Sequence, residues 1–487
     1  MPTDRHEQGR TTKRRRGATA RPTAGPMTGV AGFRGIVGRT LLPEDVLGYA
    51  LTFMRRLRER RPTRRRDRRV PKLVLGRDTR PSGPLLHHLA CAAAVSAGVD
   101  VHDLGVVPTP TVGLMTRHLR ADGGLALTAS HNPIEWNGLK FFSAEGVFLT
   151  TAERVKLLNH FQRRGFPRAE PEALGHVRAV RDPIAPHLAA LLAVLPTDRI
   201  RRRRLRVALD ACNGAGRDLA LALLDALGVR CRLLHDRPDR AFERPPEPLP
   251  PHLGALRRAV VDSQADVGFA LDPDGDRLAL VDETGRPIGE ERTIVLAADY
   301  VLPRRRGPLV VNLSTTRAVE DVAARHGVRV HRAPVGEAHV VEAMRRIGAV
   351  LGGEGNGGVI FPAVHPGRDA ATAIGLTLAL LAEAEEARRP TLSALNAAVA
   401  DYVLLKDRLD LADREGAGGS LERLRRAAAE LRPRPRTDRR DGLKLVWPDR
   451  WLHVRPSSTE PILRLFAEAP TRPAAGRLLG WARQRIA

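Results

Sequence analysis

Cysteine is nearly absent. Cys91, Cys212 and Cys231 are the only three in 487 residues, with no CxxC and no paired spacing. That disfavours a disulfide scaffold and a cysteine zinc site, and fits a reducing, cytoplasmic compartment. Aromatic residues are scarce at 4%, and no basic run is interleaved with them, so a base-stacking surface is missing. No stretch approaches the roughly 18 apolar residues a membrane helix needs. The opening MPTDRHEQGRTTKRRRGATARPTAGP has no apolar core, so neither a span nor a secretory leader is expected. Acidic residues are too few to balance the basic ones, 55 against 80, leaving a net charge of +25.

Arginine supplies most of that excess, with dense runs at 55–69 and at Arg201–Arg204. Such charge attracts anions: nucleic acid, an acidic membrane or a phosphorylated metabolite. It equally fits an arginine-heavy composition spread over solvated faces. Residues 1–28 are expected to form a disordered basic tail.

The length calls for three or four domains. KLVLGRD (72–78) is strand-like, LLHHLACAAAVSAG (85–98) is helical, and VDVHDLGVV, a helix near 110–119 and GLALTAS follow. Strand and helix alternate as in an α/β domain with a mainly parallel sheet. The pattern restarts at RVALDACNGAG (206–216) and at PLVVNLS (308–314), with no residue-level repeat. After about 404 it becomes a small α+β unit. The expected organisation is a tail (1–28), three similar α/β domains with mainly parallel mixed sheets (29–185, 186–290, 291–403) and a smaller C-terminal α+β domain (404–487) around a central cleft.

Four stretches carry chemistry. TASHNP (128–133) ends an apolar run and breaks the backbone at Asn-Pro. It presents Ser130 beside His131 at a sheet edge, where a reacting hydroxyl would sit, although an ordinary strand-ending turn would read the same way. DPDGDR (272–277) places Asp272, Asp274 and Asp276 on a Pro-Gly turn between apolar strands. Three carboxylates at spacing two can converge on a hard cation such as Mg²⁺, and without one they repel; a polar hairpin turn is the bland alternative. An EF-hand is excluded because Arg277 stands where its loop needs glycine and the flanks are strands. LGGEGNGGVIFP (351–362) surrounds Glu354 and Asn356 with glycines; a carboxylate with an amide suits sugar hydroxyls, and a flexible turn is the bland alternative. VRPSSTEPILRLF (454–466) gathers Arg455, Ser457, Ser458, Thr459 and Arg464, a donor set for phosphate, or else a capped turn. GFRGIVG (32–38) and GRDTRPSG (76–83) place arginine among glycines; Arg77, Asp78 and Arg80 also read as a salt-bridged loop.

TASHNP, DPDGDR, GEGNGG and RPSSTEP, in this order and one per domain, resemble the α-D-phosphohexomutase superfamily over about residues 29–487. The resemblance implies three α/β domains and a smaller fourth around a cleft. It implies interconversion of hexose 6-phosphate and hexose 1-phosphate through a phosphoserine at Ser130 and a bound hexose 1,6-bisphosphate. One Mg²⁺ would be held by Ser130, Asp272, Asp274 and Asp276. Lys140 of NGLKFF would be the general acid/base, its pKa lowered by nearby cations, while Arg34 would clamp phosphate and His131 position or assist. Glu354 and Asn356 would hold the sugar, and Arg277 and Glu337 would also bind substrate. Arg455, Ser457, Ser458, Thr459 and Arg464 would hold the phosphate that is not transferred.

The loop GGEGNGG, with PVGEAHVVEAM (334–344) and HPGRDA (365–370), looks most like phosphoglucosamine mutases or phosphomannomutases, with phosphoglucomutase as the alternative. Glu337 or Glu354 would pair a glucosamine 2-ammonium. Ser458 departs from the glycine common in the family. The partner expected is a small sugar phosphate, on a monomer or homodimer, with no membrane. A nucleic-acid-binding protein on the same scaffold is disfavoured because the chemical residues are intact. A Ser–His–carboxylate hydrolase lacks its GxSxG elbow, and a phosphatase would need water that domain closure excludes.

Overall fold

The computed structural model describes residues 27–29, 32–59, 69–383, 390–411, 416–457 and 462–486. The tail up to residue 26, the arginine run at 60–68, and Ser458 and Thr459 lie outside the described residues.

Four sheets follow one another along the chain. The first runs, strand by neighbouring strand, Met27–Thr28, Gly32–Ile36, Trp136–Ser143, Gly123–Leu127, Lys72–Arg77, Asp100–Val106 and Val177–Ala179. The second runs Leu278–Asp282, Val267–Leu271, Arg206–Asp210 and Arg230–Leu234. The third runs Val330–Ala333, Leu309–Asn312, Leu351–Glu354, Gly358–Phe361 and His365–Arg368. The fourth, wholly antiparallel, runs Val403–Asp410, Ile462–Ala469, Trp451–Pro456, Leu443–Val446 and Arg436–Asp438. The architecture is α/β: three mixed, helix-covered sheets and a smaller α+β unit.

The first three sheets share a device that no residue pattern announced. In each, a parallel core passes into an antiparallel hairpin: Gly123–Leu127 with Trp136–Ser143, Val267–Leu271 with Leu278–Asp282, and Leu351–Glu354 with Gly358–Phe361. Each hairpin turn is one of the chemical motifs. The first strands are buried along their length and, apart from Glu354, carry no polar side chain, as suits strands covered on both faces. The fourth motif joins Trp451–Pro456 to Ile462–Ala469, again an antiparallel pair.

Packing fixes these hairpins relative to one another. One apolar core runs from Leu191 to Val399 and serves the second and third sheets together. At its centre the helix Ala370–Leu381 is buried on every side, and Asp369 caps it by accepting from the Ala371 amide at 3.0 Å. Each large aliphatic side chain buried there contributes roughly 1.5–3 kcal/mol, so these two units are held as one body. The first and fourth sheets keep cores of their own.

The strand Val403–Asp410 was not anticipated. It carries Lys406, Asp407, Arg408 and Asp410 and reads as polar, yet it is the edge of the fourth sheet, with an exposed face at alternate positions. Charged edge strands are ordinary because they block further pairing.

Candidate active site

Ser130 follows the buried strand Gly123–Leu127 and has φ of 52°, in the left-handed region that a serine seldom enters. Arg80 holds that shape. Fully buried, it donates to the carbonyls of Ser130 (2.6 Å), Asn132 (2.7 Å), Pro133 (2.5 Å) and Trp136 (2.9 Å). It also pairs with Asp78 at 3.0 Å. Thr128 ties the same loop together, donating to Asp78 at 2.6 Å and accepting from the Ser130 amide at 2.9 Å. The sequence reading of Arg80 and Asp78 as a salt-bridged loop is correct but incomplete: the pair is the frame of the serine turn. Arg34 adds a hydrogen bond to Asn132 Oδ1 at 2.8 Å.

The Ser130 hydroxyl donates to Asp272 Oδ2 at 3.1 Å, and His131 Nδ1 lies 3.3 Å from Ser130 Oγ. Burial, with Arg277 and Arg34 nearby, pushes the His131 imidazole well below its ordinary range, so it is neutral. Glu247 stands 4.0 Å from His131 Nε2, too far for a hydrogen bond, and no serine–histidine–carboxylate relay forms.

Asp272, Asp274 and Asp276 converge as expected. They are buried, and each offers an oxygen within 4.8 Å of the others; among the described residues they alone form such a group. Gly275 makes the turn at φ of 66°, where a Cβ would meet Pro108 Cβ at 2.9 Å. The amides of Asp276 and Arg277 both donate to Asp272 Oδ1 at 3.0 Å, and Thr109 donates to Asp274 Oδ2 at 2.6 Å. Asp274 Oδ1 and Asp276 Oδ1 are buried without a hydrogen-bond partner. Burial, then Asp276 and Asp274, push the Asp272 carboxyl far above its ordinary value. For Asp276 burial pushes upward too, but Arg368 and Lys140 outweigh it and hold the carboxyl low. Orphaned oxygens and mutual repulsion are what a bound cation relieves, so the donor set fits a metal ion.

Lys140 corrects an expectation. Its ammonium lies 2.6 Å from Asp274 Oδ2 and 3.1 Å from Asp276 Oδ2. Burial lowers its pKa, but the two carboxylates outweigh burial and neighbouring cations, so the net shift is upward. The expected depression is not found, because the acids lie closer than the cations.

Glu337 and Glu354 meet around a guanidinium that the sequence did not single out, although its string HPGRDA was noted. Arg368, also buried, bonds Glu337 Oε2 at 2.9 Å, Glu354 Oε2 at 3.0 Å and Asp276 Oδ2 at 2.8 Å. Glu354 Oε1 accepts from Asn312 Nδ2 and the Gly336 amide, each at 2.8 Å. Burial drives the Glu337 carboxyl up to about 7 despite Arg368. The 2-ammonium partner expected for Glu337 or Glu354 thus finds both already engaged by a cation. Asn356 Oδ1 accepts from the Gly358 amide at 3.2 Å. Gly357, at φ of 86°, packs so tightly that a Cβ would sit 2.5 Å from the Leu278 carbonyl, which seats the turn at 353–358 on the hairpin that carries the three aspartates.

One cavity of about 370 Å³ reaches all four motifs, with Ser130, Lys140, Glu354, Asn356, Arg455 and Ser457 among its walls. Arg34, His131, Arg277, Glu337 and Arg464 line it as well, whereas the three aspartates sit beneath it, in contact with Ser130, Lys140 and Arg368. Arg455 is aimed by Asp441, which accepts from its Nε at 2.8 Å. Among the lining groups that were missed are Lys406 and Glu291. Lys406, on the unanticipated edge strand, pairs with Glu290 at 2.6 Å, and burial raises the Glu291 carboxyl to about 8.

Comparison with known proteins gives the fold and cavity a family. Models of the phosphoglucomutase/phosphomannomutase family match in order: alpha/beta/alpha domain I at residues 25–168, domain II at 185–285, domain III at 290–402 and the C-terminal domain at 409–480. The chain is 35% identical over 459 residues to a phosphoglucomutase/phosphomannomutase of Thermococcus kodakarensis, covering 93% of this chain and 97% of that one. It is 30% identical over 442 residues to a probable phosphoglucosamine mutase of Methanosarcina acetivorans, covering 91% and 94%. The crystal structure of a phosphoglucomutase/phosphomannomutase family protein from Burkholderia thailandensis aligns with a TM-score of 0.77 at 25% identity, over 94% of this chain and 96% of that one. The chain belongs to the phosphoglucomutase/phosphomannomutase family, the α-D-phosphohexomutases. It is a phosphohexomutase, an isomerase that moves a phosphoryl group between the two ends of a hexose phosphate. Among the described residues no helix is long and apolar enough to cross a membrane.

Proposed function

We propose that Ser130 carries the phosphoryl group and exchanges it with a hexose monophosphate through a bound hexose 1,6-bisphosphate. The observation that carries this reading is the placement of the Ser130 hydroxyl on Asp272, at 3.1 Å, in the cavity that also reaches the sugar and phosphate loops. In the first transfer the Oγ–P bond of phosphoserine breaks and a bond forms from phosphorus to the free sugar hydroxyl oxygen. That hydroxyl's proton passes to Ser130 Oγ. The bisphosphate then turns end for end, and Ser130 takes the other phosphoryl with its proton returned.

Asp272, Asp274 and Asp276 would hold Mg²⁺, whose charge would offset that of the transferring phosphoryl. Lys140, held charged by Asp274 and Asp276, is our choice for passing the proton between the two oxygens. Arg34 and Arg277 would clamp phosphate oxygens, since guanidinium stays charged and bidentate. Glu354 and Asn356 would orient the sugar hydroxyls. Arg455, Ser457, Ser458, Thr459 and Arg464 would grip the phosphate at rest, so the span between this loop and Ser130 sets substrate length. His131, neutral beside Oγ, would position it.

The test is turnover of hexose 1-phosphate to 6-phosphate with Mg²⁺, with and without a catalytic amount of hexose 1,6-bisphosphate. The reading expects the bisphosphate to remove any lag and Ser130→Ala to lower kcat by at least about a thousandfold. Full activity in Ser130→Ala would reject it.

A further inference from the structure

Asp441 sits in the turn between the strands Arg436–Asp438 and Leu443–Val446 of the fourth sheet. One of its carboxylate oxygens, Oδ2, accepts two hydrogen bonds that come from different units. Arg455 Nε donates from the neighbouring strand at 2.8 Å, and the Val335 amide donates from the third unit at 3.0 Å. Gly442 allows this placement. At φ of 76° it lets the turn lie on the backbone of the next strand, where a Cβ would sit 2.3 Å from the Val454 carbonyl.

Both donors belong to the cavity wall, which includes Arg455, Val335, Gly336 and Glu337. The consecutive amides of Val335 and Gly336 go separate ways, the first to Asp441 and the second to Glu354 Oε1 at 2.8 Å. The turn at 335–337 is therefore held between a carboxylate of its own unit and one of the fourth. On the other side, a carboxylate on Nε fixes the roll of the Arg455 guanidinium. Nη1 and Nη2 then form a fork that matches a phosphate, and an arginine held this way loses less rotamer freedom when its ligand arrives. Other contacts join the same two units without the Asp441 side chain. Lys444 donates to the Leu313 carbonyl at 2.5 Å, His453 Nδ1 lies 2.9 Å from Ser314 Oγ, and the Arg317 amide donates to Glu468 Oε1 at 2.9 Å. What the Asp441 side chain adds to that docking is the aim of Arg455.

We propose that Asp441 is a positioning residue for the phosphate that is not transferred: it aims Arg455 and ties that guanidinium to the 335–337 turn of the third unit. The grip on the phosphate thereby keeps a fixed distance from the wall that carries Glu337. The inference rests on reading Arg455 as a ligand of that phosphate.

Because Asp441 acts through Arg455, the experiment is a double-mutant cycle over wild type, Asp441→Leu, Arg455→Met and the double variant. KM and kcat are measured with Mg²⁺, a saturating hexose 1,6-bisphosphate and whichever of glucose, mannose and glucosamine 1-phosphate wild type turns over fastest. Asp441→Leu is expected to raise KM about tenfold and to change kcat by less than about threefold, since the resting phosphate is gripped in ground and transition states alike. In the Arg455→Met background the same substitution should change kcat/KM by less than about twofold. Asp441→Asn keeps an acceptor for both donors and should hold KM within about threefold of wild type. Where Arg455→Met turns over too slowly to follow, the cycle is read from dissociation constants for the same 1-phosphate. An unchanged KM in Asp441→Leu, or an equal effect with and without Arg455, overturns the proposal. Should Asp441→Leu not fold, Asp441→Ala takes its place in the cycle. If neither folds, Asp441 is holding the fourth unit in place and the proposal fails. A wild-type KM in Arg455→Met would overturn the reading of Arg455 and the inference with it, whereas a raised KM there without coupling to Asp441 removes the inference alone.

Discussion

Ser130 and Asp272, 142 residues apart in the chain, meet through a hydrogen bond of 3.1 Å between the hydroxyl and Oδ2. The contact joins the turn of one hairpin to the turn of the next, and it is the point where the first and second sheets share chemistry.

That contact belongs to an acid cluster whose buried charges repel. A cation should therefore stabilise the fold as well as support turnover. At a hundred times its dissociation constant, Mg²⁺ should add about 2.7 kcal/mol of stability. Chelator-treated protein should melt lower and recover when Mg²⁺ is returned. Asp272→Asn keeps an oxygen for the Asp276 and Arg277 amides, so it should fold, lose activity and show a much smaller melting shift with Mg²⁺. An undiminished shift in that variant would place the metal elsewhere.

Arg80 should matter far beyond its distance from any reacting atom. Arg80→Met removes five hydrogen bonds from a fully buried guanidinium to the serine loop and Asp78 and leaves Asp78 uncompensated. The expected cost is roughly 3–5 kcal/mol of stability. In whatever fraction remains folded, kcat should fall by about a hundredfold, from misplacement of the hydroxyl, with KM less affected. Arg80→Lys should rescue poorly, since one ammonium cannot span the same carbonyls. Denaturant melts and steady-state kinetics on the two variants check this, and a kinetically silent Arg80→Met would refute it.

Glu291 provides a pH signature. Burial raises its carboxyl from 4.5 to about 8, so the folded protein keeps a proton that the unfolded chain releases. Between those values the native state binds more protons, and stability falls as pH rises. The contribution is fully present below 4.5 and gone above about 8. Glu291→Gln cannot ionise and can still accept from the Thr316 amide, which lies 2.9 Å from Glu291 Oε2. It should flatten the slope of stability against pH across that window and exceed wild type near pH 8 by on the order of 4 kcal/mol. Parallel curves for the two proteins would contradict the assignment.

Much of the site was legible because each motif is a short contiguous string with its own chemistry. TASHNP, DPDGDR and GEGNGG each occupy a hairpin turn, and turn chemistry is local. The missed groups act at long range. Nothing near Arg80 in sequence shows that its partners are the carbonyls at 130–136, and nothing in HPGRDA shows three carboxylates from three other elements converging on Arg368. The one available hint was arginine set among glycines and prolines, where backbone can come close. Lys140 was misjudged for a related reason: sequence lists the ions near a lysine but not which are nearest. The strand at 403–410 was missed because an edge strand with one wet face carries charges and loses its apolar signal. The shared hairpin of the first three sheets is a repeat of topology, carried by different residues each time.

The central claim is that Ser130 lends and reclaims a phosphoryl group, and intact mass tests it most directly. Protein incubated with hexose 1,6-bisphosphate should become one phosphate heavier, with the label on the peptide containing Ser130. That added mass should pass to hexose 6-phosphate when the sugar is supplied, and Ser130→Ala should acquire none. A phosphate found on another residue, or a label on Ser130 that never leaves for the sugar, would contradict the account.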